Sequence, residues 1–262
     1  MMQYWGNSYT FNKLLWTPQN LSGWVQLFIA DSVSVDGSSR VSQLNDLSGN
    51  GYHATQSTSA NRPIWSATSF GGAAGISGGN FSGQVLAHTA PQPGTALSTF
   101  LVATSINLSP DYVSLYCSEA PNAQMRINWY VRYAASSRVV LAHSAVNQTN
   151  TNPALAASTS YVLTATNSAS GTSPSTYNCR TNAVSGVTVT NPIYAGDTVD
   201  RRLIFGEVPS APCQAILGAC GYLSRVLSTA ELELLEGWAA WKYKFVANLP
   251  AGHPYKSAAP TI

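Results

Sequence analysis

Tyr112, Tyr116, Trp129 and Tyr130, interleaved with Arg126, Asn128 and Arg132, are the residues of this chain best suited to holding a ligand. Aromatic faces beside guanidinium and amide donors suit the CH faces and hydroxyls of a neutral glycan, and equally a protein surface. Tyr112 and Tyr116 share strand parity and so face one way, whereas Trp129 faces opposite to Tyr130. The same rings would serve as sandwich core and strand-face packing, so both uses stay open on residue type alone.

Hydrolysis of a glycosidic bond would need two carboxylates flanking it. Glu119 and Glu207 are solitary in β-rich stretches, while Glu231, Glu233 and Glu236 fall in one amphipathic helical pattern. No Gly-x-Ser-x-Gly elbow marks a nucleophile. His88 and His143 have β-like neighbours and His253 lies near the end, positions typical of satisfied surface or half-buried histidines. Asp46 and His53 bracket a Gly-rich turn, where the carboxylate would either orient the imidazole and nearby amides or simply close an Asx-type turn. Calcium is the one ion with a conceivable site, from Asp31 and Asp36 near Asn45 or Asp46, yet neither EF-hand spacing nor an acidic cluster is present. The four cysteines form no close ligand pair; they read as buried thiols, with a Cys213–Cys220 bridge as the alternative. The expectation is a chain that is not an enzyme, with no resident metal or cofactor.

Composition points the same way. Charged residues make up 9% of the 262-residue chain, against about 25% in an ordinary soluble domain. The surface must then be covered by Ser, Thr, Asn, Gln and Gly, which suits neutral partners and packed assemblies. The net charge of +2 is scattered, with only Arg201-Arg202 and Lys242-x-Lys244 close together. Nucleic-acid binding would need a denser basic patch. No run reaches the roughly 18 apolar residues of a membrane helix, so no membrane span is expected.

These side chains must be positioned by strands. Trp24 to Ala30, Thr99 to Thr104, Tyr112 to Cys117, Met125 to Arg132, Arg138 to His143, Tyr161 to Thr166 and Cys213 to Leu223 carry β signals between polar turns. Met125 to Arg132 alternates with period two. Many short strands of this kind predict an antiparallel sandwich. One helix is predicted over 229–246: Ser228-Thr-Ala-Glu231 has capping-box spacing, and Leu232, Leu235, Trp238, Ala239, Lys242 and Phe245 fall near one face. Trp238 and Trp241 are expected to pack that helix onto the sandwich.

Two end-pieces carry a resemblance. Val41, Ser42, Asp46, Ser48, Gly49, Gly51, His53, Ala54 and Gln56, followed by Asn61-Arg62-Pro63, match one signature; Tyr222, Leu223, Arg225, Leu227, Ser228, Glu231 and the 238–242 helix segment match another. The chain thereby resembles the concanavalin A-like, laminin-G-like jelly-roll domains of phage virion proteins, bacterial surface proteins and carbohydrate-active proteins. Leu44 stands where that family usually has Trp, and Ala219 where it often has an acid. The resemblance implies structural roles for Asp46, Ser48, Gly49, Gly51, His53, Arg62, Arg225, Ser228 and Glu231. Hydrolases of the same broad fold carry a Glu-x-Asp-x-x-Glu set on one strand, and no such set occurs here.

The expected organisation is an extended N-terminal strap over 1–20, an all-β concanavalin A-like jelly-roll sandwich with one C-terminal-region α-helix over 21–247, and an extended tail over 248–262. Trp5, Phe11, Trp16 and Tyr255 in the two end segments are candidate assembly contacts. The resemblance implies a non-catalytic structural or adhesive component of a phage particle, in a tail, fibre or capsid-decorating position. It would sit in the virion as a homo-oligomer or part of a larger assembly, touching other virion proteins and host glycans. The alternatives are a carbohydrate-binding module of a bacterial surface protein, and a glycoside hydrolase or lyase of the same fold.

Overall fold

The computed structural model describes residues 15–81, 83–91, 96–106, 113–118, 128–132, 138–142, 148–150, 155–168, 175–186, 188–191, 201–205 and 214–262. Their strands are, in chain order, β1 (Trp24–Val35), β2 (Val41–Asp46), β3 (Ala54–Thr55), β4 (Ile64–Ser66), β5 (Gly75–Gly78), β6 (Leu86–Thr89), β7 (Leu97–Thr104), β8 (Val113–Ser118) and β9 (Asn128–Arg132). There follow β10 (Arg138–Ala142), β11 (Gln148–Asn150), β12 (Tyr161–Ser168), β13 (Ser175–Thr181), β14 (Val184–Ser185), β15 (Val189–Asn191), β16 (Arg201–Ile204), β17 (Ala215–Leu223) and the helix α1 (Thr229–Lys242).

Antiparallel pairing runs β2–β1–β17–β7–β12–β13–β15 through one row of strands. It runs β3–β6–β16–β8–β9–β10–β11 through the other, and β2 pairs with β3 to join them. The result is an all-β sandwich with a single α-helix near the C-terminal end of the described chain.

Strand parity explains three layers. Along β7, Leu101 and Ala103 point to the second row, where they meet a core containing Phe28, Leu86, Tyr116, Trp129, Ile204 and Tyr222. Phe100 and Val102 point the other way, into a second core with Trp24, Val162 and the α1 residues Leu235, Trp238 and Ala239. The first sheet is therefore buried on both faces, by the second sheet and by the helix. A strand in that position loses alternation, and all eight residues of β7 are buried.

Two expectations are corrected here and one is met. Tyr116 and Trp129, read as glycan-stacking rings, are both 0% exposed. Tyr116 donates to Gln26 Oε1 at 3.0 Å and Trp129 Nε1 donates to Thr99 Oγ1 at 3.3 Å, so even their polar atoms are tied into the core. The helix stops at Lys242 rather than continuing to 246, because Lys244 adopts a left-handed φ of 63°. Cys220 is a buried free thiol, as its type and setting lead one to expect. Burial pushes its pKa up, and that of Cys179 to about 12.

Candidate functional site

Near the first signature, Asp46 organises a turn. Its Oδ1 accepts from Leu27 N at 3.1 Å and Ser48 N at 3.0 Å, and its Oδ2 from Ser48 Oγ at 2.7 Å and Tyr52 N at 3.0 Å. His53 Nδ1 accepts from the backbone N of Asp46 at 3.0 Å, so the imidazole reads the amide and not the carboxylate. Gly49 and Gly51 take φ of 90° and 79°, a left-handed bend that residues with a Cβ resist. Arg62 donates from Nη1 to Asp36 Oδ2 at 3.1 Å and from Nε to Gln56 O at 3.0 Å. Backbone amides of Arg40 and Ser38, then Arg62, hold the Asp36 carboxyl below its ordinary range. Asp31 pairs with Lys242. Asp31 and Asp36 are thus drawn to separate cations and Asp46 to amides, and among the described residues no three His, Cys, Asp or Glu side chains gather as a metal site.

At the second signature, Ser228 Oγ accepts from Glu231 N at 3.3 Å and Glu231 Oε2 accepts from Ser228 N at 2.8 Å, a complete capping box. Arg225 grips the same carboxylate in two bonds, Nη1 to Oε2 at 3.0 Å and Nη2 to Oε1 at 2.7 Å. These bonds from Arg225, with those from Ser228, lower the Glu231 pKa from the ordinary 4.5 to about 2. The folded pKa is depressed, so this contribution to stability is present in full above about pH 4.5 and is lost as pH falls towards 2. Urea midpoints measured across that window should fall more steeply for the wild type than for Glu231→Gln. Parallel curves would show that the carboxylate adds nothing.

The end segments come together on the far side of α1. Leu15 bridges to Thr261, and Trp16 N donates to Pro260 O at 3.1 Å. Trp16, a candidate assembly contact, is buried in the core under α1. Tyr255 is half-buried and packs against Gly237 of the helix, where an added Cβ would lie 2.6 Å from the Tyr255 Cβ. Lys256 clamps the tail by donating to the carbonyls of Val246, Ala247 and Leu249 at 3.0, 2.9 and 2.6 Å. The tail is a series of turns on the helix rather than an extended strand.

Between strap, helix and tail lies a groove of about 350 Å³ lined by Leu15, Trp16, Thr17, Trp238, Trp241, Lys242, Lys244, Ala259 and Pro260. Helical spacing puts Trp238, Trp241 and Lys242 on one side of α1. Trp238 sits edge-on to Tyr243, with ring centroids 5.9 Å apart and planes at 89°. Trp241 Nε1 donates to Tyr255 O at 2.8 Å, which fixes a half-buried indole in the groove wall. The rings read as packing residues thus also form an accessible apolar wall beside two lysines.

A second groove, of about 490 Å³, is more polar and lies between β12, β13 and the start of α1, with Asn178, Arg180, Ser185 and Thr229 in its lining. Beneath it Arg180 Nη2 lies 2.9 Å from Oε2 of Glu236, a carboxylate that is 0% exposed. Neither groove has an Asp or Glu among its described lining residues.

Tyr112, Arg126, Trp5 and Phe11 lie outside the described residues, as do Glu119 and Glu207. Tyr130 and Arg132 are placed on β9, paired to β10 and β8. Sequence reasoning missed the Trp241 groove because its walls are more than two hundred positions apart. It missed Glu236 although a signal was present: the residue lies four positions after Leu232 and three before Ala239, on the apolar face.

No family model matches the chain, and no curated protein matches it. Among solved structures it is similar to Trypanosoma rangeli sialidase in complex with sialic acid, with a TM-score of 0.54 and 13% identity over 82% of this chain and 33% of that one. It is similar also to domain 4 of AbnA, a GH43 extracellular arabinanase from Geobacillus stearothermophilus, in complex with arabinotriose: TM-score 0.56, 10% identity, 80% of this chain and 96% of that one. A third is botulinum neurotoxin type C, in a structure concerned with cell entry through two ganglioside molecules: TM-score 0.56, 12% identity, 80% and 52%. At these identities the likeness is one of fold. The chain spans about a third of the sialidase.

The expectation that the chain is not an enzyme is corrected by these neighbours. Sialidase and arabinanase chains contain this fold, so the missing Glu-x-Asp-x-x-Glu set does not exclude catalysis. Carboxylates distant in sequence converge by folding, and one strand need not carry them all.

Proposed function

We propose that this chain is a carbohydrate-binding β-sandwich domain that holds its parent protein or particle to a glycan-bearing surface. The observation that carries the reading is the groove beside Trp238 and Trp241, where a half-buried indole forms an apolar wall next to lysine donors. A sugar presents CH groups on one ring face and hydroxyls at its edge, which matches an aromatic wall with polar groups at the rim. The likeness to domain 4 of AbnA supports it, since it covers nearly all of a domain seen with an arabinotriose.

A glycan array tests the reading, run beside a reducing-end assay. Saturable binding is expected, and Trp241→Ala should weaken it about tenfold, the loss of about 1.4 kcal/mol. Trp241→Phe retains a ring and should bind at an intermediate level, while thermal melts confirm that both variants fold. A silent array, or a Trp241→Ala variant that binds as the wild type does, would remove the proposal. Release of reducing ends, lost in Glu119→Gln or Glu207→Gln, would add hydrolysis to binding.

The finer placement, on a phage particle or otherwise on a bacterial cell surface, rests on the sequence resemblance and the charge-poor surface. Contact with neighbouring virion proteins belongs to the same placement. Electron microscopy of particles carrying labelled copies tests it; a protein never found in particles would leave the surface placement.

A further inference from the structure

Lys244 differs from the other lysines of the described chain, and Arg40, whose side chain also has no partner among the described residues, does not line the groove. Arg62, Arg180, Arg225 and Lys242 each face a carboxylate, and Lys256 donates to three carbonyls. Lys244 has no ion-pair or hydrogen-bond partner among the described residues, is exposed, and lines the Trp241 groove. Its backbone holds it there. After the C-cap at Tyr243, Lys244 takes a φ of 63°, at the position where glycine or asparagine usually ends a helix. The bend returns Phe245 to the core and turns the Lys244 side chain outward. A residue with a Cβ in this conformation is worth a functional question when its side chain faces a cavity.

The local charge balance gives the answer. Lys242 is offset by Asp31, and no described Asp or Glu lines the groove, so one positive charge is left uncompensated beside an apolar wall. An ammonium beside low-dielectric surface attracts a carboxylate more strongly than one in open water, and the charge-assisted hydrogen bond adds direction. We infer that the Trp241 groove selects a carboxylated sugar, with Lys244 binding the carboxylate while the ring face lies on the indole wall. This rests on the glycan-binding reading above and specifies its ligand: a saccharide carrying a carboxylate, either an internal uronate or a terminal acidic sugar.

Matched pairs of probes test the selection. Binding of polygalacturonate is compared with its methyl ester, and of sialyl-lactose with lactose, by calorimetry on the full chain. At least one acidic form should bind about tenfold more tightly than its neutral match, and rising salt should erode that margin. The pair showing the margin tells an internal uronate from a terminal acid. Lys244→Gly, which also relieves the left-handed backbone, should remove the preference, so that acidic and neutral forms bind alike; Lys244→Arg should keep it. Equal binding of acidic and neutral forms, or a preference that survives Lys244→Gly, would overturn the selection while leaving glycan binding in place. Absence of any binding, to these probes and to the array, would remove both.

Discussion

Glu236→Ala is expected to destabilise the fold by about 3 kcal/mol, the loss incurred when one partner of a buried ion pair is deleted. Glu236 projects from α1 into the contact with β12, β13 and the tail. Thr164 Oγ1 donates to its Oε1 at 2.9 Å, Arg180 Nη2 lies 2.9 Å from Oε2, and His253 Nε2 stands 3.7 Å from Oε2. His253 Nδ1 accepts from Tyr255 N at 3.2 Å, so in the neutral ring the proton is on Nε2 and faces the carboxylate. Alanine would leave Arg180 without its counter-charge, Thr164 without its acceptor and a cavity under the tail. The Arg180 side chain is 14% exposed at the polar groove, and this partial access to water keeps the expected loss at the lower end of the range for buried pairs. For a domain of this size the melting point should fall by about 6–12 °C. Chemical denaturation followed by circular dichroism measures it. Removing both charges as Arg180→Met with Glu236→Leu should recover much of the loss, because no unpaired charge then remains. A single variant with a wild-type midpoint would show that the pair contributes nothing.

The expected sandwich and its helix were legible because they are written in local patterns. Ser228 and Glu231 have capping-box spacing, and the structure closes both bonds. The run Thr99 to Thr104 read as a strand, and its lack of alternation reflects burial between a sheet and a helix. What stayed hidden depends on the third dimension. Period-two alternation puts Trp129 and Tyr130 on opposite faces but does not say which face is the core, so Trp129 read as a ligand platform. The groove unites Leu15 with Trp241 and Pro260, and no short window contains that meeting. Lys244 read as one of a pair of scattered lysines because its left-handed backbone is set by the docking of Phe245 and the tail, not by a turn signal of its own.

Gly221→Ala is expected to be at least as damaging, at about 3 kcal/mol, the upper end of the usual cost of overpacking. Gly221 lies in the middle of β17, opposite Leu27 of β1 and Phe100 of β7. A Cβ there would come within 2.4 Å of the Gln26 carbonyl oxygen and 3.1 Å of the Trp24 ring. A ring can turn aside, but a carbonyl oxygen in a paired strand moves only if β1 moves. That shift would spread, since Gly221 O also accepts from Thr99 Oγ1 at 2.9 Å and Thr99 Oγ1 accepts from Trp129 Nε1 across the core. Gly218→Ala is a milder comparison, because its added Cβ meets a side chain and not a strand backbone: the ring of Tyr243 at 2.7 Å, which is buried and whose hydroxyl donates to Gly218 O at 2.6 Å but which can tilt without moving β1. Gly37→Ala is the control: nothing lies within 4 Å of that Cβ, and its effect should stay within about 0.5 kcal/mol. Urea midpoints for the three variants should rank Gly37→Ala above Gly218→Ala above Gly221→Ala. If Gly221→Ala matched Gly37→Ala, the close approach of β1 to β17 would be wrong, and with it the placement of the sheet beneath the helix.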